Sequence, residues 1–306
     1  MSKQATTRTA AIVVVFFPKF AVLDALLSTL LDQVGLVIFV DNGGGKNYLA
    51  SYPMEKAQVE YLDLCKNKGL GYALNEGFKI AVSRGFEFVA TFDQDSSPPP
   101  LMIAELLEAH HTLQRKGVKC AAIGPRFYDS RAGTKRRFPL YKQVGSAISA
   151  EPQLDQGLGL FDVDVLITSG MLVNAAVWKG GITYHPSLFV DYTDTDWCFR
   201  ARAAGFRLFV HPDQEMGHAL SDAPPIRLFG LNFLRYSPLR RYYYFRNTVF
   251  FVRQPYVSWA WRGRLLAGLG VRFISNLFID RKKVDGLKMT LRGIYHGLTG
   301  KLGPYH

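Results

Sequence analysis

Asp93-Gln94-Asp95 places two carboxylates two residues apart, directly after the apolar run Phe86–Phe92. Once the chain leaves extended geometry, both can approach one ligand. Two bare carboxylates repel a diphosphate, whereas Mg2+ or Mn2+ held between them reverses that sign, because both are hard ions suited to oxygen ligands. Such an ion also stabilises a diphosphate that departs as a bond breaks. A D-x-D triplet by itself also occurs as a turn or helix cap; its place at a strand end favours the metal reading. A denser acidic set is Asp191-Tyr192-Thr193-Asp194-Thr195-Asp196-Trp197. Crowded carboxylates raise the pKa of at least one of them unless a cation intervenes. The positive start of the following helix favours an ionised Asp194, which can take a proton from an attacking hydroxyl. N-capping explains one of these acids, but not three beside Trp197.

Weaker signals surround these two. Asp41-Asn42-Gly43 closes the second apolar run, and the residues leave two readings open: contact with a nucleobase or ribose, or a strand-to-loop Asx turn. Lys68-Gly69-Leu70-Gly71 with Asn75 and Gly77 fails the G-x-G-x-x-G spacing, because Leu74 stands where the third glycine belongs. It reads as a helix start that lets the backbone approach a ligand or neighbour. His218, in Gly217-His218-Ala219, is either structural or a metal ligand with Asp95; imidazole suits Mn2+ better than Mg2+. His110 and His111 read as surface residues of a helix.

The elements that must carry these residues follow from periodicity. Ala11–Phe17, Leu36–Val40, Val59–Leu64, Phe86–Phe92 and Ala121–Ile123 are short apolar runs. Helical stretches separate them: Val22–Gln33, a stripe of Leu70, Leu74, Phe78 and Val82, and Leu101–Lys116. That alternation predicts an α/β fold whose mostly parallel, Rossmann-like sheet is covered by helices on both faces. Ligands of such sheets bind outside the carboxyl ends of the strands, where Asp41 and Asp93–Asp95 lie. Further on, Val163–Ile167 reads as a strand leading into Thr168-Ser169-Gly170, Asp194–Ala204 as a helix and Phe206–Val210 as a strand. The basic stretch 126–141 is either a solvated loop or a flap.

The chain has 306 residues and a net charge of +12, carried almost entirely by its last part. From Ile226 onward 15 Lys and Arg face only Asp280 and Asp285. Residues 1–225 therefore read as an α/β domain that carries the acidic, catalytic sites, and 226–306 as a basic, aromatic, helical region. Three cysteines with no close pair make neither a disulfide framework nor a zinc motif. With no signal-peptide pattern and no apolar run of about 18 residues, the expected location is cytoplasmic.

VDNGG (40–44), NKGLGYALNEG (67–77), TFDQDS (91–96), TSGMLV (168–173), LFVDYTDTDWCFRARAAGF (188–206), MGHALSD (216–222) and RYYYFRN (241–247) together resemble the inverting, GT-A-fold glycosyltransferases called family 2. Within that family the chain is most similar to bacterial rhamnosyltransferases of cell-surface polysaccharide assembly. The family usually has serine at the position of Gly44, and Thr193 replaces the Glu of its Glu-Asp pair. The resemblance implies nucleotide contacts from Asp41, Asn42, Asn75 and Asp93, and a metal held by Asp95, with Asp93 and His218. It implies a general base at Asp194, with Asp191 and Asp196 as alternatives, and Trp197 and Arg200 near the acceptor or the departing diphosphate. The expected reaction moves L-rhamnose from dTDP-L-rhamnose to a hydroxyl of a lipid-linked or polysaccharide acceptor, as in O-antigen-type assembly; UDP- and GDP-sugars are the alternative donors.

The tail then gains a role. Arg240, Arg241, Arg246, Arg253, Arg262, Arg264 and Arg272 interleave with Tyr242–Phe245, Phe250, Phe251, Trp259 and Trp261. That mixture suits an anionic membrane interface and predicts a peripheral location on the inner face of the cytoplasmic membrane; the plainer alternative is a helical subdomain with buried rings. A nucleic-acid-binding protein is disfavoured because the acidic sites would repel phosphodiesters. A sugar nucleotidyltransferase is disfavoured because no phosphate loop follows the first strand.

Overall fold

The computed structural model describes residues 8–46, 58–129, 136–218, 223–228, 231–279 and 283–306. Strands β1 (Thr9–Val15), β2 (Leu36–Asp41), β3 (Val59–Asp63) and β4 (Phe88–Asp93) run parallel in the order β3-β2-β1-β4. β2 is buried at every position and β1 at all but one. This is why both read as continuous β-branched and apolar runs with no polar alternation. Ala11, Val13 and Val15 point into one core layer, shared with leucines of α1 (Phe20–Leu31) and α3 (Met102–Arg115). Ala10 and Ile12 point into the other, shared with α2 (Leu70–Ser83) and α5 (Thr193–Ala203). Burial of both layers at ~25 cal/mol per Å2 of apolar surface is the main stabilising term. His110, read as a surface residue, is buried in α3 with its ring edge-on to Phe88.

The second half of the sheet departs from the sequence reading. β5 (Cys120–Asp129) is much longer than Ala121–Ile123, and Arg136–Arg137 returns along its end as β6. Residues 130–135, the centre of the basic stretch, lie outside the described residues. β7 (Lys142–Val144) and β8 (Ala147–Ser149) form a small hairpin. The strand expected at Val163–Ile167 is instead β9 (Phe161–Val163), at the far edge of the sheet. The strand that follows Thr168-Ser169-Gly170 is β10 (Met171–Asn174), inserted antiparallel between β4 and β5. Four residues carry too little periodicity to announce a strand. After it come the short α4 (Ala175–Lys179), α5, and β11 (Arg207–His218), parallel to β5 with a register shift between Val210 and Glu215 where Pro212 sits.

β12 (Ala223–Leu228) and β13 (Leu231–Arg235) pair antiparallel, so the expected boundary at 225/226 falls inside a strand. Three helices follow: α6 (Pro238–Val252), α7 (Trp259–Ile279) and α8 (Lys283–Thr299). They share a core with the sheet domain. Phe199 of α5 packs with Phe251, Val257 and Trp261. Asp164, fully buried after β9, accepts from Trp261 Nε1 at 2.8 Å and pairs with Arg202 at 2.6 Å. Helix α8 crosses α6 closely, where a Cβ on Gly293 would lie 2.6 Å from the Tyr242 carbonyl. Tyr242, Tyr243, Phe245, Phe251 and Trp261 are buried, with Arg241 and Arg246 among them. For these residues the interleaved rings and guanidinium groups are core, not interface. No helix of the described residues is long and apolar enough to cross a membrane.

Candidate active site

Asp93 is the last residue of β4, level with Val14 of β1. Beyond that point the strands separate, and Gln94 bridges them: Phe16 N–H donates to its Oε1 at 2.7 Å, and its Nε2 donates to Phe16 O at 3.1 Å. On the other side the Thr168–Gly170 segment is sewn to β4. Thr91 Oγ1 donates to Thr168 O at 2.5 Å, Gly170 N to Thr91 O at 2.7 Å, and the hydroxyls of Ser96 and Ser169 are in contact. Asp93 and Asp95 are thereby fixed at the floor of a cleft of about 360 Å3.

The opposite wall is the start of α5. The chain reaches it through Phe189 (φ 71), Asp191 (φ 56) and Tyr192 (φ 65), three side-chain-bearing residues in the left-handed region. Such backbone persists only where its surroundings over-determine it. Here α6 does so. Asn247 Nδ2 donates to the carbonyls of Leu188 (2.9 Å), Val190 (2.6 Å) and Asp191 (3.0 Å), and Arg246 donates to Leu188 O at 2.7 Å. Asp194 then faces the cleft, accepting from Thr195 N at 2.7 Å and from Thr168 N at 3.3 Å. Burial pushes its pKa above the ordinary carboxylate value, against the pull of these backbone donors.

Partners separate the three acids of the cluster. Asp196 is fully buried and committed to Arg200 Nε at 2.8 Å and Tyr256 OH at 2.5 Å. Asp191 lies 3.4 Å from Arg240. Of the three, Asp191 and Asp194 line the cleft; Asp196 does not. Trp197 and Arg200 also lie outside its lining. Trp197 is buried, stacked on Tyr184 and bonded to Ile182 O at 2.8 Å, and Arg200 turns to Asp196 and Thr183 O. Sequence reasoning missed Tyr236 and Arg240, which close the cleft from the C-terminal side. The signal was available: a diphosphate site walled by acids needs a cation, and the basic tail follows.

A second hollow, of about 230 Å3, adjoins the first and shares Leu70, Asp93 and Val190 with it. Phe16, Asn42, Asn67 and Phe189 supply a largely apolar lining with amides at its edge. Asn42 donates to Asn67 Oδ1 at 3.0 Å and accepts from Lys68 N at 2.7 Å. Asp41 is buried and already accepts from Gly43 N, Gly45 N and Tyr61 OH at 2.8 to 3.0 Å and 2.7 Å, respectively; it shapes the loop beside the hollow. Gly44, where serine is usual, sits at φ +82 with a notional Cβ 2.7 Å from the Phe17 ring, so a side chain there is strained. Asn75 is engaged elsewhere, holding Tyr184 N and O and Trp178 Nε1.

The donor set for a cation is Asp93 and Asp95, two hard oxygen ligands on one cleft floor. Among the described residues no three His, Cys, Asp or Glu side chains gather as a metal cluster. His218 ends β11 opposite Asp129, and its side chain lies outside the described set.

Residues 11–158, from β1 to beyond β8, match the model of glycosyl transferase family 2. They form a glycosyl transferase family 2 domain. The glycosyltransferase is 28% identical to the dTDP-rhamnosyl transferase RfbF of Shigella flexneri over 296 residues, 96% of each chain. Its fold is the GT-A type. Residues 1–349 of TarS from S. aureus, solved with UDP-GlcNAc, match it with a TM-score of 0.57 at 16% identity, over 95% of this chain and 80% of that one. GalNAc-T7, solved with UDP, GalNAc and Mn2+, gives 0.57 at 12% identity, over 97% and 57%. The family-matched span of the glycosyltransferase carries Asp41, Asp93 and Asp95; Asp194 and Arg240 lie beyond it.

Proposed function

We propose that this glycosyltransferase moves L-rhamnose from dTDP-L-rhamnose to a hydroxyl of a lipid-linked or polysaccharide acceptor, inverting the anomeric configuration. The observation that carries the donor assignment is the likeness to a dTDP-rhamnosyl transferase along 96% of both chains. The cleft fits the reaction. The nucleoside would lie in the hollow between Phe16 and Phe189, with Asn42 at its edge and the Asp41-held loop beside it. Its diphosphate would then reach Asp93 and Asp95. Mg2+ or Mn2+ bound there supplies charge neutralisation for the leaving diphosphate.

Asp194 is the base. It faces the cleft without a cationic side chain among its hydrogen-bond partners, and its raised pKa makes it a stronger proton acceptor while ionised. Asp196 serves the interior instead, tying α5 to Tyr256. The acceptor hydroxyl loses its proton to Asp194 as its oxygen attacks the anomeric carbon opposite the departing nucleotide. A single displacement of that kind inverts the centre and needs no covalent enzyme intermediate.

An anionic membrane surface on the cytoplasmic side would present such an acceptor. The support is on α7, whose exposed side carries Trp259, Leu266, Val271, Ile274, Leu277 and Phe278, while the tail holds the chain's excess positive charge. The donor assignment is tested by assaying dTDP-, UDP- and GDP-sugars for transfer, with Asp194→Asn as control. Turnover of dTDP-L-rhamnose, lost in the variant, is expected; exclusive turnover of a UDP- or GDP-sugar would replace the donor.

A further inference from the structure

We propose that Arg240 is the cleft's diphosphate-binding cation, held for that task by a ladder of rings and guanidinium groups. This deepens the glycosyl-transfer reading and rests on it. Among the described residues, the other side chains of ionised type lining the cleft are Asp93, Asp95, Asp191 and Asp194, all acidic. A diphosphate entering such a cleft meets net repulsion that a single divalent ion only partly offsets. Arg240 stands across the same cleft, on the first turn of α6, with its backbone N–H donating to Ser237 Oγ at 3.2 Å. Trp197 and Arg200, which the family resemblance placed near the acceptor or the diphosphate, bond instead to Ile182 O and to Asp196 and Thr183 O.

The surroundings of Arg240 are built rather than incidental. Its guanidinium lies 4.7 Å from the centroid of the Tyr236 ring. Arg272, from α7, lies 4.6 Å from that ring and 4.5 Å from Tyr244. Tyr244 in turn meets the ring of Tyr192, next to the strained Asp191. Stacking of this kind removes rotamer freedom before a ligand arrives, so less entropy is lost on binding. The planar fork of Arg also matches paired phosphate oxygens in a way a lysine does not.

Asp191 completes the device. Its Oδ1 is 3.4 Å from Arg240 Nη2, longer than the ~2.7–2.9 Å of a tight charge-assisted bond. Asp191 thus places a carboxylate beside the guanidinium at the cleft wall. A diphosphate offers that guanidinium more charge than one carboxylate and a pair of non-bridging oxygens for its fork. The ligand is a diphosphate ester, and its source is either the nucleotide donor or a polyprenyl-diphosphate acceptor.

Calorimetric titration of the full chain with Mg2+ separates these. The probes are dTDP, UDP and GDP, thymidine as the phosphate-free control, and farnesyl diphosphate as a short prenyl diphosphate. Truncating one charged hydrogen-bonding partner predicts that Arg240→Ala weakens diphosphate binding by about 10- to 100-fold. Arg240→Lys should recover part of the loss, and thymidine binding should not change. A loss confined to nucleoside diphosphates places the donor at Arg240; a loss confined to farnesyl diphosphate places the acceptor there. Arg264→Ala, on an exposed residue of α7, is the charge-matched control and should bind as wild type. If Arg240→Ala does not fold, Arg240→Lys and Arg240→Gln carry the same comparison. Wild-type affinity for every diphosphate in folded Arg240 variants overturns this proposal alone. Wild-type protein that binds no nucleoside diphosphate overturns the functional reading and this proposal together.

Discussion

Gln94 pairs its side-chain amide with both backbone groups of Phe16, at 2.7 and 3.1 Å. It adds one rung between β1 and β4 after the strands themselves have parted, and so sets the wall of the hollow proposed for the nucleoside from the middle of the D-x-D triplet. Each hydrogen bond contributes about 0.5–1.5 kcal/mol net. Gln94→Ala should weaken dTDP binding by roughly 3- to 10-fold with little change in melting temperature, because the pair is near the surface. Gln94→Glu keeps the acceptor and loses the donor, and should fall between. Calorimetry on the three proteins checks this; equal affinities would show that Phe16 does not line the nucleotide site.

Asp194→Asn should abolish transfer while donor binding persists. Because burial raises the Asp194 pKa, the acid limb of the rate profile should lie above that of an ordinary aspartate. The sign for stability follows. A carboxyl whose folded pKa exceeds its unfolded one favours the fold below the unfolded pKa, and that contribution is lost as pH rises through the folded pKa. At neutral pH the ionised Asp194 therefore costs stability, and Asp194→Asn should melt higher than wild type, with the gap closing in acid. Thermal melts across pH test it. A variant that melts lower at neutral pH would contradict the burial argument.

Asp95→Ala removes one of the two cleft-floor carboxylates proposed to hold the cation. Loss of a metal's stabilisation of the leaving group is worth several kcal/mol, so transfer should fall on the order of 1000-fold. The residual rate should respond weakly to added Mg2+ or Mn2+. Unchanged metal dependence in this variant would move the cation elsewhere.

Gly293→Ala probes the seam between the C-terminal helices and the site loop. Its new methyl would press on the Tyr242 carbonyl of α6, the helix whose Asn247 holds Leu188, Val190 and Asp191. Overpacking of this kind costs typically about 1–3 kcal/mol. Chemical denaturation should show that loss, and transfer should fall with it although residue 293 does not line the cleft. A stability loss with full transfer would uncouple the seam from the site.

Leu266→Glu with Ile274→Glu places two carboxylates on the exposed apolar side of α7. Binding to vesicles of anionic phospholipid should drop by at least 10-fold, while activity on a soluble acceptor analogue is retained. Sedimentation with vesicles at low salt is the measurement. Equal sedimentation of the double variant and wild type, or none by wild type, would remove the membrane role of this face.

Much of the sheet was legible because burial on both faces leaves a plain mark. β1, β2 and β4 are apolar but for Thr9, Thr91 and the acids that end β2 and β4, which stand out against them. β10 left no such mark, being four residues long and antiparallel among parallel neighbours. The long basic, aromatic stretch of α6 was legible as a helix, with interface and buried core both left open, since side-chain type alone does not say which ring meets which partner.

What the sequence by itself determined is the α/β frame, the placing of Asp93 and Asp95 at a strand end, and the family to which residues 11–158 match. These depend on local periodicity and short spacings, which survive without tertiary contacts. Only the tertiary structure decided which partners the acids of the Asp191–Asp196 cluster meet, and that Asp191 and Asp194 line the cleft while Asp196 does not. Asp196 is claimed by Tyr256, 60 residues away, and Asp191 faces Arg240, 49 residues away. A carboxylate's role is set by its partners and its burial, and both arise when distant segments meet.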